Sequence, residues 1–167
     1  MGDFASYFGG SYTRLSIQKL VYFLQALQVD FNLNFSKETY GPYSEELHLA
    51  LKKMEHRHFL TGYQSNNEIT VTSAAYAAAE EYLENETNNI LSFIYKLSHL
   101  VEGFESPYGM ELLSSVHYLY SVDGHNSLDK ISEGICNWNQ EKCEKFGHNQ
   151  IEAAAARLNE DGLIELS

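Results

Sequence analysis

The sequence predicts a mainly α fold with small β hairpins, an α+β chain built as two winged-helix-like lobes packed as one unit. Three observations predict it. Apolar residues recur at helical spacing through most of the 167 residues. Two short strand-like runs, split by polar turn residues, follow the second helical stripe as a wing would. A last helical stripe ends in Asp161-Gly162 and runs into the apolar Leu163–Leu166, as a second lobe would close. Lobe one takes about residues 1–86 and lobe two about 87–167, with no Pro-rich or low-complexity linker between them and no internal repeat.

The elements follow in order. Ile17, Leu20, Val21, Leu24 and Leu27 stand behind Ser16 as a cap and predict a helix over about 16–28. Phe31–Phe35 alternates apolar and polar and reads as a short strand. Tyr40-Gly41-Pro42 then turns the chain into a helix carrying Leu47, Ala50, Leu51 and Met54, with Pro42 where a helix start tolerates it. Phe59–Tyr63 and Glu68–Thr72, separated by Gln64-Ser65-Asn66-Asn67, read as a hairpin. Helical stripes continue through Ala74–Leu83, through Ile90–Val101 behind Asn88 and Asn89 and ended by Gly103, and through Leu112–Leu119, Leu128–Trp138 and Ile151–Leu158.

Charge bounds the function. Eleven Lys and Arg against 23 Asp and Glu give a net charge of −12, which repels a phosphate backbone, so no direct nucleic-acid binding is expected. The acids concentrate in residues 73–129, where nine acids meet one base. No apolar run reaches the length of a membrane span and no secretory leader is visible, so the chain reads as cytoplasmic with no membrane partner. Met1–Ser6 fits a myristoylation pattern short enough to arise by chance.

Groups that could carry catalysis are sparse. His48, His56 and His58 with Glu55 are the best metal or acid–base candidates, but His56 and His58 diverge on a helix and do not make the spacing that brings two imidazoles to one face. Cys136 and Cys143 read as two reduced thiols on one helix face or its exit. Paired with His148, either suggests a nucleophile without an evident orienting group. The glycines form no phosphate-cradling loop, so no metal, cofactor or small-molecule substrate is expected, and the chain reads as no enzyme.

Two stretches stand out instead. Tyr40–Leu47 and Glu102–Leu113 each run a Tyr-Gly turn into a helix rich in carboxylates. In the second, carboxylates alternate with rings, and single-stranded nucleic acid offers the same two things, anionic groups and flat apolar faces. Glu102, Glu105 and Glu111 are therefore expected as phosphate-like contacts to a basic protein partner, with Tyr40, Tyr43, Phe104 and Tyr108 as apolar or hydrogen-bonding contacts. The acidic run Glu80, Glu81, Glu84 and Glu86 adds like-charge strain, roughly 0.2–0.5 kcal/mol per i,i+4 pair, that a cation would relieve.

Gln18–Gln25 (QKLVYFLQ), Tyr40–Tyr43 (YGPY), Glu102–Leu113 (EGFESPYGMELL), and Trp138 ahead of the Ile151–Gly162 helix occur in the order found in one family. Across nearly the whole chain, the sequence resembles the C-terminal toxin-binding domain of the DarG antitoxin. The resemblance implies that the partner is DarT, a toxin that ADP-ribosylates thymidine in single-stranded DNA using NAD. It also implies a single toxin-binding domain over 1–167 that neutralises DarT by occupying its DNA path. DarG proteins carry an N-terminal macrodomain that removes the modification, and none is expected before Leu15. The alternative is a winged-helix regulator of a toxin–antitoxin operon reading DNA through Lys52, Lys53 and Arg57.

Overall fold

The computed structural model describes residues 12–65, 68–83 and 87–167. Among these the chain is mainly helical with two small antiparallel strand pairs. It divides into two compact units, unit 1 taking residues up to Phe35 with Ser44–Ser98, and unit 2 taking Ser36–Tyr43 with His99–Ser167.

Unit 1 begins with α1 (Arg14–Ala26). Its N-cap is Thr13, whose Oγ1 accepts from the Ser16 amide at 3.1 Å while Ser16 Oγ accepts from the Thr13 amide at 2.8 Å. Ser16 is thus the third residue of a capping box, and the helix starts two residues before the expected position. α2 (Glu45–His56) is capped by Ser44, which is locked in turn by the Gln18 side chain. Gln18 Nε2 donates to the Ser44 carbonyl and the Ser44 amide donates to Gln18 Oε1, both at 2.9 Å. β3 (Leu60–Thr61) and β4 (Thr70–Val71) form the expected hairpin, in the register Leu60↔Val71. Gly62 opens its turn at φ +89°, where a Cβ would lie 2.1 Å from the Glu68 carbonyl oxygen, so no other residue fits. Leu47, Leu51, Leu60, Tyr63 and Ile69 make the core, flanked by Tyr12, Ile17, Val21, Leu33 and Phe35. α3 (Ser73–Leu83) follows, and α4 (Thr87–Val101) leads out of the unit.

In unit 2, β1 (Ser36–Glu38) pairs with β2 (Gly41–Tyr43) around a turn at Thr39-Tyr40. α5 (Pro107–Ser121) buries every residue from Gly109 to Leu119 and forms the centre of the unit. α6 (Leu128–Trp138), α8 (His148–Glu160) and β2 pack against it, with the six-residue α7 (Gln140–Lys145) against α6.

Several expectations are corrected. Phe31–Phe35 is not a strand: Gln25 holds Leu33 through both backbone groups at 2.9 Å and Glu46 takes the Asn34 amide at 2.8 Å, so side chains serve where a partner strand would. Pro42 lies in β2 rather than at a helix start. Leu163–Leu166 forms no strand, so unit 2 has no closing wing there and the picture of two winged-helix lobes is not met. Cys136 and Cys143 are not free thiols but a disulfide joining α6 to α7. In one straight helix, seven residues of separation put Cα atoms about 10 Å apart. The chain instead breaks at Asn139, which ends α6 in extended conformation and caps α7, and the Cα atoms approach to 4.2 Å. The start Met1–Ser11, the turn residues Asn66 and Asn67, Glu84 and Glu86, and the side chains of Glu80, Asn88 and Asn89 lie outside the described residues.

Candidate functional site

The segment from Glu102 to Glu111 is shaped by its own residues and by α8. Gly103, at φ +83°, ends α4, and the Phe104 amide donates to the Val101 carbonyl at 2.8 Å. Ser106 caps α5 through the Gly109 amide at 3.0 Å, with Pro107 in the first turn. Gly109 is required by close approach, because a Cβ there would sit 2.7 Å from the Phe104 backbone. Arg157 reaches in from α8, donating to the carbonyls of His99 at 2.7 Å and Glu102 at 2.8 Å, with its guanidinium 5.9 Å from the Phe104 ring centre. Glu102 and Glu105 stand exposed, and Phe104 is half-buried.

Deeper in the unit the carboxylate changes character. Glu111, only 3% exposed, takes Lys142 Nζ on one oxygen at 2.5 Å and Lys145 Nζ on the other at 2.7 Å. Lys142 also donates to Ser115 Oγ at 3.3 Å, and its ammonium lies about 5 Å from the ring centres of Trp138 (5.1 Å) and Phe146 (5.4 Å). Burial holds the Lys142 pKa below its ordinary value, and the Glu111 carboxylate opposes that shift. Tyr108 packs edge-on to Phe146 at 5.1 Å and donates its hydroxyl to the Lys145 carbonyl at 3.0 Å. Burial raises its phenol pKa, against the opposing pull of Lys145.

The β1–β2 hairpin is fastened to the end of α6. Trp138 Nε1 donates to the Glu38 carbonyl at 3.1 Å, and Lys37 lies 5.0 Å from the indole centre while pairing with Asp123. This leaves Tyr40 at the turn, 52% exposed, and Tyr43 half-buried.

All seven residues singled out in the sequence therefore fall in unit 2, but they part company by burial. Glu102, Glu105 and Tyr40 face solvent, Phe104, Tyr108 and Tyr43 are half-covered, and Glu111 is an internal counter-ion rather than a surface contact. Sequence reasoning missed Arg157, Lys142 and Lys145. The last two lie three apart, on one face of a helix for which only the Asn139 cap was a local signal.

The other candidates do not converge. His48 Nδ1 meets the Tyr63 hydroxyl at 2.7 Å, and His58 occupies a turn at φ +59°. Among the described residues no three His, Cys, Asp or Glu side chains are placed to hold a metal ion. The disulfide removes both thiols from any pairing with His148 as a nucleophile. No helix among the described residues is long and apolar enough to cross a membrane.

No family model matches the sequence. The chain is similar to proteins named DNA ADP-ribosyl glycohydrolase. Those of Mycobacterium bovis and Mycobacterium tuberculosis are 29% identical to it over 155 residues, covering 87% of this chain and 44% of theirs. That of Thermus aquaticus is 29% identical over 164 residues, covering 90% of this chain and 42% of its own length. The chain thus spans less than half the length of these relatives.

The relatives support the DarG resemblance at the level of the whole protein and overturn two narrower expectations. They are named for an enzyme, one that takes ADP-ribose off DNA. A chain that is no enzyme, acting as an antitoxin by imitating single-stranded DNA in a toxin's cleft, is not what they indicate. The operon regulator has no support among them either. Acidic residues interleaved with rings do not by themselves mark a surface that imitates nucleic acid. Glu111 shows this directly, since a carboxylate in that pattern proved to be internally neutralised.

Proposed function

We propose that this chain is a segment of a protein that removes ADP-ribose from DNA, water cleaving the bond between the ADP-ribosyl group and the modified base. The supporting observation is similarity over 87–90% of the chain to proteins named for that reaction. Within such a protein the segment corresponds to the toxin-binding part of DarG, and its partner is DarT. Holding the modifying enzyme would bring the hydrolase to the base where the lesion is made. The exposed Glu102 and Glu105, the half-buried Phe104 and Tyr108, and the hairpin residues Tyr40 and Tyr43 are the contacts we assign to that partner. We place the protein in the cytoplasm, where DNA and toxin meet.

The experiment uses the protein as its host makes it, with this chain intact. A single-stranded oligonucleotide carrying ADP-ribosylated thymidine should lose the group to water, seen as free ADP-ribose by mass spectrometry, and DarT should co-purify with the protein. Unreleased ADP-ribose would overturn the reaction. DarT passing through unretained, or retained equally by Glu102→Lys/Glu105→Lys, would overturn the partner or its contacts.

A further inference from the structure

We propose that Cys136 and Cys143 form a reversible thiol–disulfide site, taking electrons from a dithiol reductant, and that its state governs how firmly α7 holds the buried charges of unit 2. The inference does not depend on the ADP-ribose reading.

A helix of six residues has too few internal hydrogen bonds to persist on its own, so α7 depends on its anchors. They include the Asn139 cap, the disulfide at Cys143, the two lysines on Glu111, the Tyr108 hydroxyl on the Lys145 carbonyl, and Phe146 buried at its exit. The disulfide is the covalent one. It joins the middle of α7 to α6, the helix whose Trp138 lies over Lys142. If α7 loosens, Glu111 is left as a buried carboxylate without its cations, a state that charge desolvation makes unfavourable. Opening the disulfide therefore weakens the charge cluster carried by the same helix.

Cys136 is an exposed residue and Cys143 is half-buried, which makes Cys136 the side on which the proposal places the incoming thiolate. Attack there forms a mixed disulfide at Cys136 and expels Cys143 as a thiolate, which takes up a proton. The second thiol of the dithiol then attacks the mixed disulfide, leaving as a cyclic disulfide and freeing the Cys136 thiol. Two electrons and two protons pass from the dithiol to the cysteine pair.

The test applies dithiothreitol to the folded chain and reads alkylation and amide exchange by mass spectrometry. Without reductant, neither cysteine should alkylate. With it, both should, under native conditions, and exchange over residues 139–146 should rise by at least about tenfold while residues 45–56 keep their rates. Cys136→Ser/Cys143→Ser should show the fast rates and ignore dithiothreitol. If that variant fails to fold, the wild-type comparison decides. Thiols that appear only in denaturant, cysteines that alkylate before reduction, or exchange unchanged after complete reduction would each overturn the proposal.

Discussion

Units 1 and 2 solve the same problem, burying polar groups beside an apolar core, with different chemistry. In unit 1 the Gln18 amide exchanges two hydrogen bonds with the Ser44 backbone, a neutral arrangement indifferent to pH. In unit 2 the central helix carries Glu111, Ser114, Ser115 and His117 on buried positions, and a carboxylate is balanced by two lysines from a helix that a disulfide pins. A neutral pair tolerates changes of solution conditions, whereas an ionised cluster ties its element to pH, salt and redox state. The contrast is between these two clusters and not between whole units, since unit 1 also buries Lys19 at 2% exposure.

The largest break should come from Glu111→Ala, which strands two lysines, one of them buried. Removing one partner of a buried ion pair costs about 3–5 kcal/mol, read as a lowered denaturant midpoint with an unchanged slope. A Glu111→Leu/Lys142→Met double variant should recover most of that loss, since it removes the buried lysine with its partner and leaves only Lys145, whose side chain is 29% exposed. A double variant as unstable as the single one would mean that the cluster is held for reasons other than its charge.

A pH titration sharpens the same contrast. Burial pushes the His117 pKa from 6.5 down to about 4. The unfolded imidazole takes up a proton below about 6.5, and the folded one refuses it until about 4, so stability is fully present above that window and lost as pH falls through it. At about 1.4 kcal/mol per unit the loss totals roughly 3 kcal/mol. His117→Gln should flatten that part of the stability–pH curve, and a variant with the wild-type slope would remove His117 as its source.

Gln18→Ala in unit 1 should cost about 1–3 kcal/mol, because it takes the Gln18 acceptor from the buried Ser44 amide, while the Ser44 carbonyl keeps the His48 amide at 3.1 Å. Unlike the unit 2 changes, this loss should be equal at pH 4 and pH 7, and a pH-dependent loss would blur the distinction between the two clusters. The smallest effect belongs to Glu102→Lys/Glu105→Lys, which should alter stability by no more than about 0.5 kcal/mol at exposed sites. A larger change in melting would show that these carboxylates support the fold and are not free for a partner.

Legibility followed the range of the interaction. The hairpin at Leu60–Val71, the stop at Gly103 and the stripes that became α5, α6 and α8 were readable because periodicity and turn chemistry act within a few residues. The candidate loop was legible as a stretch, since Gly103, Ser106 and Pro107 mark its ends locally. Its support was not, because Arg157 comes from more than fifty positions downstream. Phe31–Phe35 shows the opposite failure: a genuine alternation places Leu33 and Phe35 on the core, but its hydrogen bonds go to side chains and no ladder forms.

Order along the chain carries the helix stripes and the local chemistry that starts them, because a cap such as Thr13, Ser44, Ser106 or Ser127 satisfies an amide only three residues away. It cannot say which carboxylate faces water. Glu102, Glu105 and Glu111 share one short acidic stretch, and only the arrival of Lys142 and Lys145, brought round by the break at Asn139 and the Cys136–Cys143 bond, makes the third an internal ion and leaves the first two exposed. The reason is energetic: a charge can leave water only where an opposite charge from elsewhere in the fold meets it.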